Sequence, residues 1–504
     1  MKPTKKQSAV VSHPFRKERG KDGAPRLSKQ LSATASHPSR KNKGAARVGH
    51  PATSGETKEK TKKIGALPET EPQLVTIEKP IYGGAFLSRL EGKAVFVPLT
   101  LPGEEVQVRI VEDRPGYSTA EAEEIVTASP ERIAPACPHF GACGGCCYQH
   151  ANYAAQLAYK QAILRETLER GGVTAPAEIG VLAGEPWAYR NRIRVAFDAS
   201  GNPGYRGRRS NWVVPMSECP IAAALLLRTA QAAAEVARQL APALRPTEIS
   251  LFCDAEESSL LASVFSSAAA HSSSATARGS FDDFAQALAE RIPALKGAEV
   301  VAISSKAEQP RTVAQWGAVS ITYRAAGFDY RVDHGAFFQV NRFLVDSLVE
   351  CVAAGRKGDL AWDLFAGVGL FARRLTAGYA RVAAVESAPS ATQALAANLR
   401  GTTGTAVRST TLDFLRRNRK GLHFGLRPDL IVVDPPRTGL GPEITALLAE
   451  VAAPALVYVS CDPATLARDL RALTGSGYMI ESITLADLFP QTFHLETVVQ
   501  LRRA

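Results

Sequence analysis

In the last third of the chain, apolar runs end one after another in an acid or a thiol: Asp363 after LAW, Glu386 after RVAAV, Asp413 after AVRSTTL, Asp434 after LIVV and Cys461 after ALVYVS. If each run is a strand of one parallel sheet, those ends open onto a shared crevice, where such sheets collect ligands. Packing alone is a poor explanation for such a series. AGVGLF, beginning at Ala366, is a glycine-containing turn into a helix, which lets a ligand approach the backbone and meet helix N–H groups. It lacks the third glycine of a dinucleotide fingerprint, yet Glu386 lies at the usual distance of roughly 20 residues for a carboxylate that grips ribose hydroxyls. An adenosine cofactor without a pyrophosphate fits better than a dinucleotide, which points to S-adenosylmethionine.

DPPRTGL, from Asp434 to Leu440, leaves its strand through two prolines and makes a rigid polar loop over that crevice. Methyltransferases acting on exocyclic nitrogens tend to carry Asn or Asp, Pro, Pro and an aromatic here, and Arg437 replaces the aromatic. VSCDP sets Cys461 beside this loop. A buried structural cysteine is the plain alternative, but Ser460 and Asp462 make the surroundings polar. A thiol beside a methyl donor makes sense when the acceptor is a weakly nucleophilic carbon: addition at carbon 6 of a pyrimidine turns carbon 5 into an enolate-like nucleophile. Such a reaction leaves a proton on carbon 5, so a base is needed. In FHLETVVQL, period-two alternation would place His494 and Glu496 on one strand face, with Glu496 the candidate base and His494 a neighbour that orients it.

A second concentration of chemistry lies far from these motifs. Residues 137 to 147 read CPHFGACGGCC, four of the chain's eight cysteines. In a reducing compartment such a group binds metal or does redox chemistry more often than it forms disulfides. Sulfur ligands alone leave zinc and iron–sulfur both open.

The elements that must position these groups fall into four stretches. Residues 1 to 66 hold 17 of the 60 Lys and Arg but only 4 of the 49 Asp and Glu, so the whole positive excess of the +11 chain lies there. This Lys-, Ser- and Pro-rich tail is expected to be disordered and to attach loosely to a polyanion such as RNA, a solubilising extension or transit peptide being the alternative. Residues 67 to 128 read as short strands with turns at Gly83-Gly84, Gly92 and Pro102-Gly103, a small five-stranded barrel of the OB-like kind that often binds oligonucleotides. From 129 to 332 the pattern is mixed α+β: a helix at Tyr153 to Arg170, a strand at RNRIRVAFD, a helix from Ile221 to Leu240, and a low-complexity loop at SSAAAHSSSATARGS. Arg190, Arg192 and Arg194 recur at period two, as either a phosphate-facing stripe or a solvated strand face. From 333 to 504 strands and helices alternate as in a doubly wound α/β sheet. The N-terminus has no signal-like apolar run and no stretch of 18 apolar residues occurs, so a cytoplasmic protein without a membrane partner is expected.

Taken together, FFQVN, DLFAGVGLF, AAVE, DPPRTGL, YVSCDPATLARDL and DLFPQTFHLETV resemble the uracil-5 methyltransferases that modify ribosomal and transfer RNA with S-adenosylmethionine. The resemblance implies a Rossmann-like methyltransferase domain in which Gln339, Phe365, Glu386 and Asp413 line the cofactor site. It places Asp434 between cofactor and base, and makes Cys461 the nucleophile and Glu496 the base. Leu370 stands where members often carry a polar residue, so no side-chain contact to the cofactor is carried over there. The barrel resembles a TRAM domain. Members acting on 23S ribosomal RNA carry a [4Fe-4S] cluster on a C-x5-C-x2-C run and one distant cysteine before a proline, which correspond to Cys137, Cys143, Cys146 and Cys219, with Cys147 as a competing neighbour. The expectation is therefore a monomeric enzyme making 5-methyluridine in 23S ribosomal RNA. The alternatives are transfer RNA as substrate, or a non-catalytic RNA-binding protein on the same scaffold.

Overall fold

The computed structural model describes residues 71–241, 244–266, 275–303, 311–420 and 427–503. The basic tail lies outside them. Strands β1 (Gln73–Pro80), β2 (Ala85–Leu90), β3 (Lys93–Pro98), β4 (Glu105–Arg114) and β5 (Tyr117–Thr127) close into a barrel in the order β1-β2-β3-β5-β4. Their alternate residues Val75, Ile77, Val95, Val97, Val106 and Val108 fill its interior, as period-two strands wrapped around one core require. Gly83 and Gly84, at φ of 108° and 86°, make the tight β1–β2 turn that only glycine adopts without strain.

After the cysteine segment come α1 (Tyr153–Arg170) and the short β6 (Gly180–Leu182). A seven-stranded sheet follows, built from β7 (Arg192–Phe197), β8 (Pro203–Arg206), β9 (Val213–Pro215), β10 (Pro246–Cys253), β11 (Leu260–Ser266), β12 (Leu295–Ala302) and β13 (Arg311–Gly317). Helices α2 (Ala224–Leu240) and α3 (Ala275–Arg291) bury Leu226, Val236, Phe281, Phe284 and Leu288 against it. The segment expected as a low-complexity loop thus becomes helical from Ala275, where the spacing of Phe281, Phe284 and Leu288 gives it an apolar face to bury. The hairpin β14 (Ser320–Ala325) and β15 (Phe328–Asp333) packs Ile321, Tyr323, Tyr330 and Val332 into the core of the domain that follows.

That domain runs α4 (Val345–Ala353), β16 (Gly358–Leu364), α5 (Leu370–Leu375), β17 (Tyr379–Glu386), α6 (Pro389–Asn398), β18 (Gly404–Arg408), α7 (Thr411–Asn418), β19 (Leu430–Val433), α8 (Gly441–Val451), β20 (Ala455–Ser460), α9 (Pro463–Gly475), β21 (Tyr478–Ala486) and β22 (Glu496–Arg503). Its sheet order is β18-β17-β16-β19-β20-β22-β21-β6, with β16 to β20 parallel and β22 antiparallel. Helices α4, α5 and α6 cover one face, while α7, α8, α9 and α1 cover the other. The central strands are buried on both sides and read as unbroken apolar runs, LIVV in β19 being wholly buried. Two elements from the stretch assigned to the central domain therefore belong to this sheet: α1 packs on α9, and β6 forms its outer edge.

Three sequence readings change. Asp413 is not at a strand end: β18 stops at Arg408, and Asp413 lies in the first turn of α7, its N–H held by the Thr410 cap at 3.1 Å. His494 and Glu496 do not share a strand face, because β22 begins at Glu496 and His494 lies in the preceding loop. The arginine stripe does not form. Arg190 precedes β7, Arg192 lies over Phe252 and donates to the Ala336 carbonyl, and only Arg194 is exposed, paired with Glu248.

Candidate active site and cysteine cleft

The carboxyl end of the parallel sheet carries the groups the sequence singles out. After β16 the chain turns through Phe365, Gly367 and Gly369, all left-handed at φ of 68°, 56° and 92°. A non-glycine residue in that region is strained, a condition that clusters at functional sites. A side chain at Gly369 would meet Leu395 at 2.6 Å, so the turn fits closely against α6. Glu386 braces it: Oε2 accepts the Gly367 N–H at 3.0 Å, and Oε1 accepts those of Ser387 and Ala388 at 2.7 Å. These bonds fix the carboxylate at the crevice with lone pairs left for a ligand's hydroxyls. Gln339 is buried, and its carbonyl accepts from Asn191 at 2.9 Å. Exposed Asp413 stands one strand further out.

Asp363 is completely buried. One of its oxygens takes the Ala372 N–H at 2.8 Å while the other has no partner. Burial, with Asp434 and Glu386 adding repulsion, raises its pKa to about 7. Asp434, at the end of β19, is likewise pushed to about 7 by burial. Glu496 is raised well above the usual carboxylate range by burial and then by Asp434, with Arg437 opposing.

Cys461 follows β20 and precedes α9, whose first turn is capped by Asp462 through bonds from the Ala464 and Thr465 N–H groups at 3.1 and 2.9 Å. Burial raises the thiol to about 12, followed by Glu496 and Asp434, while Arg437 lowers it. Asp434 is thus close enough to shift both the nucleophile candidate and the base candidate, and Glu496 close enough to shift Cys461. His494 joins this shell through Arg437, its Nδ1 lying 3.2 Å from the guanidinium, and its ring rests 4.3 Å from that of Phe493.

Sequence reasoning does not single out several residues that hold this arrangement. Buried Asp469 accepts from Leu440 N at 2.7 Å and from the Tyr458 hydroxyl at 2.8 Å, pinning the DPPRTGL loop. A side chain at Gly439 would meet it at 2.5 Å. The loop from Asp487 to Leu495, which delivers Glu496, is gripped by α1 and its approach. Lys160 bonds Asp487 at 2.6 Å and the Phe489 carbonyl at 2.9 Å, the Gln156 and Gln491 side chains bond each other at 2.9 Å, and the N–H groups of Cys147 and Tyr148 both donate to the Gln491 carbonyl. A charged residue in an amphipathic helix was the only available signal, and it reads as a solvated face.

Cys137, Cys143, Cys146 and Cys219 all line one cleft of about 630 Å³, counted out to open solvent, together with Arg190, Tyr205 and Glu218. Burial raises the Cys143 thiol, and raises Cys146 to about 12 and Cys219 to about 11. Cys147 does not line the cleft. Its sulfur stands 3.0 Å from where a side chain at Gly84 would begin, against the barrel. Among the described residues, no group of three or more His, Cys, Asp or Glu side chains is placed to hold a metal ion.

Sheet order and crevice define a doubly wound α/β methyltransferase domain preceded by an RNA-binding type of barrel. A family profile for tRNA (uracil-5-)-methyltransferases matches residues 282–504, and one for the TRAM domain matches residues 69–122. The chain is 34% identical to an uncharacterized RNA methyltransferase of Streptomyces avermitilis, over 85% of this chain and 98% of that one. It is 31% identical to a 23S rRNA (uracil(1939)-C(5))-methyltransferase of Halomonas elongata, over 82% and 85%. Among solved structures, the Pyrococcus abyssi tRNA (uracil-54, C5)-methyltransferase in complex with S-adenosyl-L-homocysteine has the same fold, with a TM-score of 0.65 and 24% identity over 85% of this chain and all of that one. The chain belongs to the RNA uracil-5 methyltransferase family and carries its TRAM domain. It is an RNA (uracil-C5)-methyltransferase.

Proposed function

We propose that this enzyme methylates one uridine of 23S ribosomal RNA at carbon 5 through a covalent adduct on Cys461. The carrying observation is that Cys461, Asp434 and Glu496 lie at the carboxyl ends of β20 and β19 and at the start of β22, with Asp434 raising the pKa of both others and Glu496 that of Cys461. Gln339, Phe365, Glu386 and Asp413 would hold S-adenosylmethionine, which would supply an electrophilic methyl group. Cys461 gives up its proton to solvent and its sulfur bonds to carbon 6, passing the electron pair to carbon 5, which would take the methyl as the donor's sulfur–carbon bond breaks and S-adenosylhomocysteine leaves. Glu496 then removes the carbon-5 proton; its electron pair re-forms the double bond and the sulfur leaves. Arg437 favours the thiolate, and Asp434 stands between the reacting carbon and the cofactor pocket. The ribosomal target is supported by relatives bearing 23S rRNA names.

We further propose that the four-thiol cleft would hold a [4Fe-4S] cluster on Cys137, Cys143, Cys146 and Cys219, all four of which line it. Arg190 is placed to offset the negative charge of four thiolates. The cluster would tie the segment around Cys143 to the loop bearing Cys219.

Timing separates the two catalytic roles. Cys461→Ala should neither form an adduct nor transfer methyl. Glu496→Gln should accumulate methylated 23S rRNA bonded to the protein, seen as a denaturation-resistant band carrying label from the methyl donor. Release of methylated RNA by Glu496→Gln at the wild-type rate would show that another group is the base.

A further inference from the structure

The barrel reaches the nucleophile loop. Tyr82, on the β1–β2 turn, points its hydroxyl at Asp462 Oδ2, 3.4 Å away. That distance is long for a phenol–carboxylate bond, as active-site contacts often are before substrate binds. The other oxygen of Asp462 is occupied, capping α9 through Ala464 and Thr465. The Tyr82 ring meets Phe493 edge-on, with centroids 5.6 Å apart and planes at 84°.

The two domains exchange side chains here. Tyr82 packs against the methyltransferase core, whereas Phe493 and Cys147 pack against the barrel core. The fit leaves no slack, since a side chain at Gly84 would meet Cys147 at 3.0 Å and Phe493 at 3.1 Å. Lys79 and Glu166, 2.8 Å apart, tie β1 to α1, which itself packs on α9. A barrel serving only as an RNA-gripping appendage needs none of these contacts.

We infer that Tyr82 is a positioning residue of the methyl-transfer site, its hydroxyl holding the second oxygen of Asp462 and thereby the loop that presents Cys461. This rests on the reading of Cys461 as nucleophile. Burial and the neighbouring Asp462 raise the Tyr82 pKa, so the phenol stays protonated and can donate. The barrel thereby becomes part of the active site: it sets where the thiol stands when RNA arrives.

Tyr82→Phe keeps the ring and its packing and removes only the donor. Asp462→Asn keeps the helix cap, since asparagine caps as well as aspartate, and removes the charged acceptor. With the full chain and a 23S rRNA transcript, single-turnover methyl transfer at saturating RNA should fall about tenfold in Tyr82→Phe with RNA affinity unchanged. The same substitution in the Asp462→Asn background should cost nothing further, the signature of a shared interaction. A wild-type rate in Tyr82→Phe, a change confined to RNA affinity, or an equal loss in both backgrounds would overturn the inference. Cys461→Ala assayed alongside separates the failures: turnover there would remove the nucleophile reading itself, whatever Tyr82→Phe does.

Discussion

At the scale of single residues the site holds its acids in an uncomfortable state. Asp363 and Asp434 are raised to about 7 chiefly by burial. At a pH below the ordinary carboxylate value of about 4, both the folded and unfolded chains hold these protons. Between there and about 7 only the unfolded chain releases them, so stability is withdrawn as pH rises, by up to about 1.4 kcal/mol per unit for each group. Above that window the loss is complete. The free enzyme should therefore be more stable near pH 5.5 than near pH 8. Asp363→Asn keeps the acceptor for Ala372 and cannot ionise, so it should raise the thermal midpoint most at pH 8, less at pH 5 and hardly at all below pH 4. Melting curves across that range check this; a parallel shift at every pH would contradict it. Cys461 shows the converse demand, a thiol pushed to about 12 that must ionise to react. Arg437 opposes the carboxylates there.

At the scale of elements, α1 is the clamp on the loop that ends in Glu496. Lys160 and Asp487 are both fully buried, 2.6 Å apart. Deleting one member of such a pair leaves an uncompensated charge and typically costs about 3–5 kcal/mol. Lys160→Met should thus be strongly destabilised in urea titration and lose methyl transfer more than the loss of folded protein accounts for. Lys160→Met combined with Asp487→Leu should recover much of the stability, because well-packed apolar residues can replace a buried pair. If the recovered double variant also regains full activity, the ion pair serves folding alone. Gln491, held at φ of 69° in this loop, marks where the backbone stores strain to aim the chain into β22.

At the scale of the whole molecule, the barrel, the central sheet and the methyltransferase sheet interlock within one unit rather than hang in series. The barrel touches the nucleophile loop, α1 and β6 join the methyltransferase sheet, and the cysteine segment bonds β8 through Gly144 N and the Arg206 carbonyl at 3.0 Å. Anaerobically purified protein should be brown and contain about four iron and four sulfide per chain. Cys219→Ser should lose both and lower the thermal midpoint, because the link between the cysteine segment and the central domain is then open. Stoichiometric zinc without sulfide would refute the cluster. No helix among the described residues is long and apolar enough to cross a membrane.

The sequence by itself determined the features that depend on local order. These include the parallel strands, whose two-sided burial demands unbroken apolar runs, and the barrel, whose alternation and glycine turns are short-range signals. It also located Glu386, Asp434 and Cys461 at strand ends, because the length of an apolar run fixes where its strand stops. It misplaced Asp413 by one cap: Thr410 starts α7 before the acid is reached. It paired His494 with Glu496 on a strand that begins two residues later. Only the tertiary structure decided that Tyr82, some 380 positions from Asp462, belongs beside it, and that Lys160 is interior. It also sorted the neighbouring cysteines, sending Cys146 into the cleft and Cys147 against the barrel. The reason is physical: periodicity reports which face of an element is apolar, whereas the partner that satisfies a buried polar group is chosen by packing between elements distant in sequence.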